Sequence, residues 1–173
     1  MLLLIAALCL PAWAAYARPD DMQDYVRLHV IAQDDSDAAQ ALKLKVRDAC
    51  LEHAQTLLKD CQDAEEAWTL VNQHLDAFTQ AAQTAAQANG FDGEVCAQTG
   101  IFEFPDRQYG DVVVPAGEYR ALRIVIGSGE GRNWWCVLYP SLCMPEDYEP
   151  GSPVQFYSSL VQWIQSIFGG NEG

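Results

Sequence analysis

The spacing of apolar and polar positions changes along the chain, and each change marks an element. Residues 24–33 read DYVRLHVIAQ, in which Val26, Leu28 and Val30 alternate with Arg27 and His29. A period of two predicts a half-buried strand. The run DDSD then stops it. Asp35 or Ser36 is placed to cap a helix, and acids there suit the positive end of the helix dipole. Over 38–60, Leu42, Val46, Ala49, Cys50, His53 and Leu57 recur on one helical face, which makes Cys50 a small core residue. A second helix is expected to begin at Asp63, with Glu66 three residues on as in a capping box. It runs through Ala64, Trp68, Val71, Leu75, Phe78, Ala82 and Ala85 to the stop signal Asn89-Gly90. Trp68 and Phe78 belong to that stripe and are read as core.

After Gly93 the pattern is that of strands, over 94–104, 111–114, 119–126 and 133–139. Pro115-Ala116-Gly117 predicts a tight turn that pairs the strands on either side of it as a hairpin. The run Gly127-Ser128-Gly129-Glu130-Gly131 predicts a flexible hairpin turn. Glycines at that spacing cradle phosphate where a helix follows to supply its dipole, and here a strand follows. Trp134 and Trp135 fall on opposite faces of that last strand. One belongs to the core; the other must be covered by another element or by a partner, as interaction hot spots are. From Pro145 the composition shifts to a linker, PEDYEPGSP, with Ser152 as cap and Pro153 in the first helical turn. Residues 154–168 then place Phe156, Leu160, Trp163, Ile164 and Ile167 on one face and uncharged Gln and Ser on the other. Membrane-surface helices carry Lys or Arg there, so docking on the domain or on a partner is expected. These elements predict an α+β fold. Its mixed or mostly antiparallel sheet has about four to five strands, with a two-helix hairpin inserted after the first, helices on one face, and a C-terminal amphipathic helix.

Composition narrows the function. The 173 residues, half of them apolar, suit one domain with a proper core. A formal charge of −14 argues against nucleic acid and against an anionic membrane surface as partners. The opening MLLLIAALCL has about the length of a signal-peptide core and is too short for an ordinary membrane span. Pro11 breaks it, and the A-x-A sites Ala12-Trp13-Ala14 and Ala15-Tyr16-Ala17 follow. Residues 1–17 are therefore read as a signal peptide or, since no Lys or Arg precedes the run, as an uncleaved N-terminal anchor. The domain occupies 18–144, and the linker with its helix 145–173.

Export changes the meaning of the cysteines. Cleavage would leave Cys50, Cys61, Cys96, Cys136 and Cys143, an odd number, so one thiol stays free or pairs between molecules. Along one continuous helix Cys50 and Cys61 would stand about 16 Å apart, beyond the roughly 7 Å that a disulfide spans. Within GRNWWCVLYPSLC, Cys136 and Cys143 read as disulfide partners, with Pro140-Ser141 turning the chain back between them. The competing reading leaves Cys136 free as a nucleophile with His29 as its base. His29, His53 and His74 are scattered and no C-x-x-C occurs, so no metal site is expected. Asp34, Asp35 and Asp37 are read as helix-dipole partners, and Glu118 and Glu130 lack a mate for acid–base work. The residues alone predict an exported α+β domain, without cofactor, that binds something.

Four blocks, YVRLHVIAQDDS, LKLKVRDA, FPDRQYGDVVVPAGEYRALRIVIGSGEG and NWWCVLYPSLC, together resemble the stage II sporulation protein R family from Tyr25 to Cys143. The first block departs from the family pattern at Gln33, Asp34 and Ala39. The resemblance implies a signalling protein made in the forespore and exported into the space between the two membranes. There it would trigger a membrane-bound mother-cell protease, stage II sporulation protein GA, which processes the precursor of sigma factor E. It implies no catalysis of its own, no cofactor, no nucleic acid, and membrane contact only through the partner. Arg27, His29, Lys45, Arg47, Asp48, Tyr109, Gly110, Pro115, Gly117, Tyr119, Asn133, Trp134, Trp135, Cys136, Pro140 and Cys143 match the family pattern. Among them Lys45, Arg47 and Asp48 are expected to form an ion-pair network, and the glycines and prolines to set turns. The expected partner contacts are His29, Asn133, Trp134, Trp135 and Tyr139, and NWWCVLYPSLC is expected to form a recognition loop closed by Cys136 and Cys143. Two other readings compete, an exported thiol enzyme using Cys136 and His29, and a non-catalytic cell-envelope module.

Overall fold

The first strand lies at the middle of the molecule. In the structure, a computed structural model that describes residues 23–109 and 112–140, β1 (Val26–Ile31) is buried on both sides rather than half-buried as expected. The reason is its place in the sheet, whose order is β2-β5-β1-β6. β1 runs parallel to β5 (Gly117–Ile126) and antiparallel to β6 (Asn133–Tyr139), and β5 runs antiparallel to β2 (Val95–Phe104). A central strand with both faces covered needs side chains that pack on both, and here Arg27 and His29 are drawn inside with the valines. The leader or anchor expected at 1–17, the linker and helix expected at 145–173, and Cys143 lie outside the described residues.

Three helices follow β1, where two were expected. α1 (Asp37–Leu58) begins at Ser36, whose Oγ accepts from the Ala39 N–H at 3.2 Å. Its buried face is Lys43, Val46, Arg47, Cys50, Ala54 and Leu58, turned from the predicted stripe. Two long cationic side chains lend their alkyl stems to that face, which a purely apolar pattern does not reveal. Cys50 is wholly buried, as expected, and burial pushes its thiol up to about 12. The expected second helix divides at His74 into α2 (Ala64–Gln73) and α3 (Leu75–Ala88). Just before the break Asn72 Nδ2 donates to the Trp68 carbonyl at 2.7 Å, and its Oδ1 accepts from Thr99 Oγ1 on β2 at 2.7 Å. A side chain competing for the backbone ladder is one of the few causes of a helix break. The apolar face survives it: Ala67, Val71, Phe78, Ala82 and Ala86 are all fully buried, and α3 packs along α1.

Both ends of this helical stretch follow the sequence signals. Asp63 accepts from the Glu66 N–H at 2.8 Å, while Glu66 reaches back to the Gln62 N–H at 2.9 Å, one residue before the cap. At the far end Phe91 N–H donates to the Ala86 carbonyl and Gly90 N–H to that of Gln87, with Gly90 at φ 80°. That is the double closure in which glycine satisfies the last orphan carbonyls of a helix.

Two expected hairpins do not form. β4 (Val112–Val114) pairs with β3 (Arg107–Tyr109), a short strand that the pattern did not reveal, and the two make a separate ribbon. Pro115 and Gly117 do turn the chain, and the Tyr119 hydroxyl donates to the Pro115 carbonyl at 2.7 Å, but β5 leaves the turn for the main sheet. The run from Gly127 to Gly131 is likewise no hairpin turn, because β1 lies between β5 and β6. It crosses the end of β1: Gly131 N–H donates to Ala32, Glu130 N–H and Ser128 Oγ to Gln33, and Arg132 N–H to Asp35. A side chain at Gly131 would collide with the Asp34 backbone, so glycine is required there for close approach.

The sheet divides the interior in two. Val26, Leu28 and Val30 face the helices with Leu122, Ile124, Ile126, Cys136 and Leu138. On the second face a smaller cluster holds Tyr25, Phe104, Val114, Tyr119, Ala121 and Val137. Among the described residues no helix is long and apolar enough to cross a membrane.

Candidate interaction site

Strand alternation sends Arg27 and His29 to the second face, away from the helices. Arg27 is entirely buried there. Its Nε donates to the Cys136 carbonyl at 3.1 Å and its Nη2 to the Tyr109 hydroxyl at 3.0 Å. The guanidinium carbon lies 4.3 Å from the Phe104 ring centre and 4.9 Å from that of Tyr119. Among the described residues, aromatic faces and neutral acceptors stand where a carboxylate usually accompanies a buried arginine. Burial lowers the Arg27 pKa, opposed by Tyr109, and burial likewise raises that of Tyr109. Tyr109 in turn donates to the Trp135 carbonyl at 3.2 Å, so one hydroxyl ties the ribbon to both β1 and β6.

Two residues further along β1, His29 stacks on Trp135 with ring centres 3.7 Å apart and 20° between planes. Its Nε2 is 2.8 Å from Asn133 Oδ1. Phe104 meets both rings edge-on. Burial holds the His29 pKa down, to about 4, with the Arg123 charge adding and the Asn133 bond opposing. The imidazole is therefore neutral at neutral pH. Beside it on β5, Arg123 lies 3.8 Å over the Phe102 ring.

Three of the five expected contact residues, His29, Asn133 and Trp135, come together on this face. Trp134 and Tyr139 do not join them. Trp134 packs on the helix side, its ring centre 4.3 Å from the Arg47 guanidinium carbon, and the Tyr139 hydroxyl donates to the Cys61 carbonyl at 3.2 Å. Neither tryptophan is exposed; each is half-buried. Arg47 pairs with Asp48 at 2.8 Å, while Lys45 is exposed and stands outside the pair. Cys136 is 1% exposed and packs with Leu28 and Leu138 on the helix side. It is disulfide-bonded, whereas Cys50, Cys61 and Cys96 are free. Its expected partner, Cys143, lies outside the described residues. His29 and Cys136 are on opposite faces of the sheet, so the pairing that a thiol enzyme would need is not formed. Among the described residues no group of three His, Cys, Asp or Glu side chains is gathered as a metal site.

Sequence reasoning missed Arg27 as the hub of this face, and Arg123, Tyr109, Phe102 and Phe104 as its walls. One signal was present: arginine and histidine two residues apart, facing the same way in a strand otherwise made of valine and leucine. Nothing in the sequence paired β1 with β5, so Arg123 could not be brought beside them.

Comparison with known proteins agrees with the blocks that span the two sides of the sheet. The family model described as stage II sporulation protein R matches residues 22–149. Stage II sporulation protein R of Bacillus subtilis (strain 168) is 37% identical over 130 residues, covering 75% of this chain. The chain matches 58% of the length of that relative. No solved structure matches. The match takes in every described element, from β1 through β6, and the chain belongs to the stage II sporulation protein R family.

Proposed function

We propose that this chain is an exported signal of sporulation that switches on a membrane-bound protease of the mother cell. The protease, stage II sporulation protein GA, then processes the precursor of sigma factor E. The observation that carries the reading is the family match across 22–149. Two features of the chain support it. The apolar run at 1–10 followed by A-x-A sites is the pattern of an exported protein. The second face of the sheet offers aromatic and cationic side chains on rigid strands, the composition that interaction hot spots favour. In this reading the domain acts by contact, has no hydrolytic activity, and reaches the membrane only through its partner. A Cys136–Cys143 bridge closes the loop after β6 and holds the end of that strand.

The test is co-expression in a non-sporulating host with the cognate protease and the sigma factor precursor, read by immunoblot. Cleavage that appears only with this chain is the expected result. Cleavage of equal extent without it, or none when fractionation shows the chain to be exported, overturns the reading. A cell-envelope module would leave precursor processing unchanged when the gene is deleted from its own host.

A further inference from the structure

Among the described residues three buried nitrogens on the second face have no hydrogen-bond partner, Arg27 Nη1, His29 Nδ1 and Arg123 Nε, beside three on the helix side, Arg47 Nη1, His53 Nε2 and Trp134 Nε1. The three on the second face belong to neighbours. Arg27 and His29 are two residues apart on β1, and Arg123 stands opposite His29 on β5. Arg27 is 0% and His29 6% exposed, so these side chains are desolvated rather than water-bonded at the surface. Native structures satisfy most such groups, and the exceptions mark strain, chemistry or a missing ligand.

The charge on this face is one-sided. Among the described strand residues that point to it are two arginines and a histidine, and no aspartate or glutamate. The acids at the nearby end of β1 are engaged elsewhere, Asp34 with Ser36 and Gln33, Asp35 with Arg132. A chain of net charge −14 has acids to spare, and this face excludes them.

The face is also half open. The ribbon covers the end around Arg27, where Tyr25, Phe104, Val114 and Tyr119 are buried. At the other end Phe102, Arg123 and Trp135 are half-buried, and Gln98 and Asn133 exposed. The Arg123 guanidinium carbon lies 3.8 Å over the Phe102 ring, and guanidinium is suited to a planar, two-pronged acceptor.

We infer that the open half of this face is a docking site for an extended acidic segment of a partner protein, whose Asp or Glu carboxylate sits between Arg123 and His29 and whose flanking side chains lie on Trp135 and Phe102. The carboxylate pairs with the half-buried guanidinium of Arg123. Its charge also favours the imidazolium form of His29 beneath it. The inference deepens the protease-contact reading only as to partner identity; the chemistry of the site stands apart from it.

The experiment is a heteronuclear NMR titration of the full domain with the capped peptide Gly-Glu-Val-Glu-Gly. Its glutamine counterpart and inorganic phosphate serve as separate probes. The expected result is shift changes confined to the side-chain signals of His29, Arg123, Asn133 and Trp135, produced by the glutamate peptide and not by the glutamine one. Arg123→Gln, a half-buried position that leaves the core intact, weakens binding about tenfold or more, and Arg123→Lys recovers part of it. No localised shifts, shifts centred on surface lysines, or equal shifts from phosphate and no preference for the peptide each overturn the site. The two readings fail separately. Localised peptide binding without precursor cleavage keeps the site and removes the protease; cleavage without localised binding does the reverse.

Discussion

At the scale of the residue, Arg27 and His29 decide how the second face behaves. Among the described residues Arg27 has no carboxylate partner, and it is held by one carbonyl, one phenol and aromatic ring faces. Truncation to alanine leaves a cavity and removes the hydrogen bonds to the Cys136 carbonyl and the Tyr109 hydroxyl, and destabilises the domain by about 3 kcal/mol or more. Tyr109→Phe removes only the hydroxyl that binds ribbon to sheet and costs about 1 kcal/mol. Urea unfolding of the two variants measures both, and equal effects would contradict the role of Arg27 as hub. His29 makes stability depend on pH in a defined direction. Its folded pKa of about 4 lies below the ordinary 6.5, so between those values the unfolded chain takes up a proton that the folded chain refuses. Stability is therefore full above 6.5 and is lost as the pH falls through the window toward 4, by about 2 to 3 kcal/mol in all. His29→Gln should flatten that loss in unfolding curves taken from about pH 7 to about pH 5, where ordinary carboxylates contribute little. An unchanged slope would mean that another group carries it. Of the contacts expected from the family resemblance, the sheet brings His29, Asn133 and Trp135 together on this face. Residue-scale reading from sequence could not find Arg123, whose relevance depends on a parallel neighbour far away in the chain.

At the scale of the element, period and punctuation carried much of the information. The caps at Ser36 and Asp63, the stop at Asn89-Gly90 and the extents of β2 and β6 follow from side chains within a few residues of each boundary. Pairing does not follow in the same way. A tight turn after Val114 fixes a reversal of direction, but not which strand each arm will join, and β5 finds more apolar surface to cover between β2 and β1 than beside the short β4. The break at His74 depends on Asn72 meeting Thr99 across the fold, again a distant contact. The crossover at Gly131 gives a test at this scale. Gly131→Ala forces the added carbon onto the Asp34 backbone and should cost about 2 kcal/mol or more. Gly90→Ala meets nothing within 4 Å and pays only for its positive φ, about 1 kcal/mol. Thermal unfolding of the pair distinguishes a required close approach from a merely flexible loop. The bridge proposed for Cys136 belongs here as well: replacing Cys136 and Cys143 together by serine should lower stability by about 2 kcal/mol, with the strand order unchanged. Peptide mapping under non-reducing conditions identifies the partner directly.

At the scale of the whole molecule, the acids among the described residues lie on helices, loops and outer positions, and one sheet face is cationic and aromatic. The helices give that sheet a rigid back, and the ribbon fixes one end of the face through Tyr109. Such a surface is suited to recognition by contact. The family blocks gave the family; the cationic and aromatic face became visible only once the sheet was assembled.

Contact between this face and the mother-cell protease, as proposed above, is read by site-specific photo-crosslinking in the co-expression system. A photo-reactive side chain at Gln98, exposed on the open half of the face, is compared with one at Gln55, exposed on α1. The account predicts a covalent product with the protease from position 98 and none from position 55, with precursor cleavage supported by the latter. Capture from 55 and not from 98 would place the contact on the helical side and contradict it.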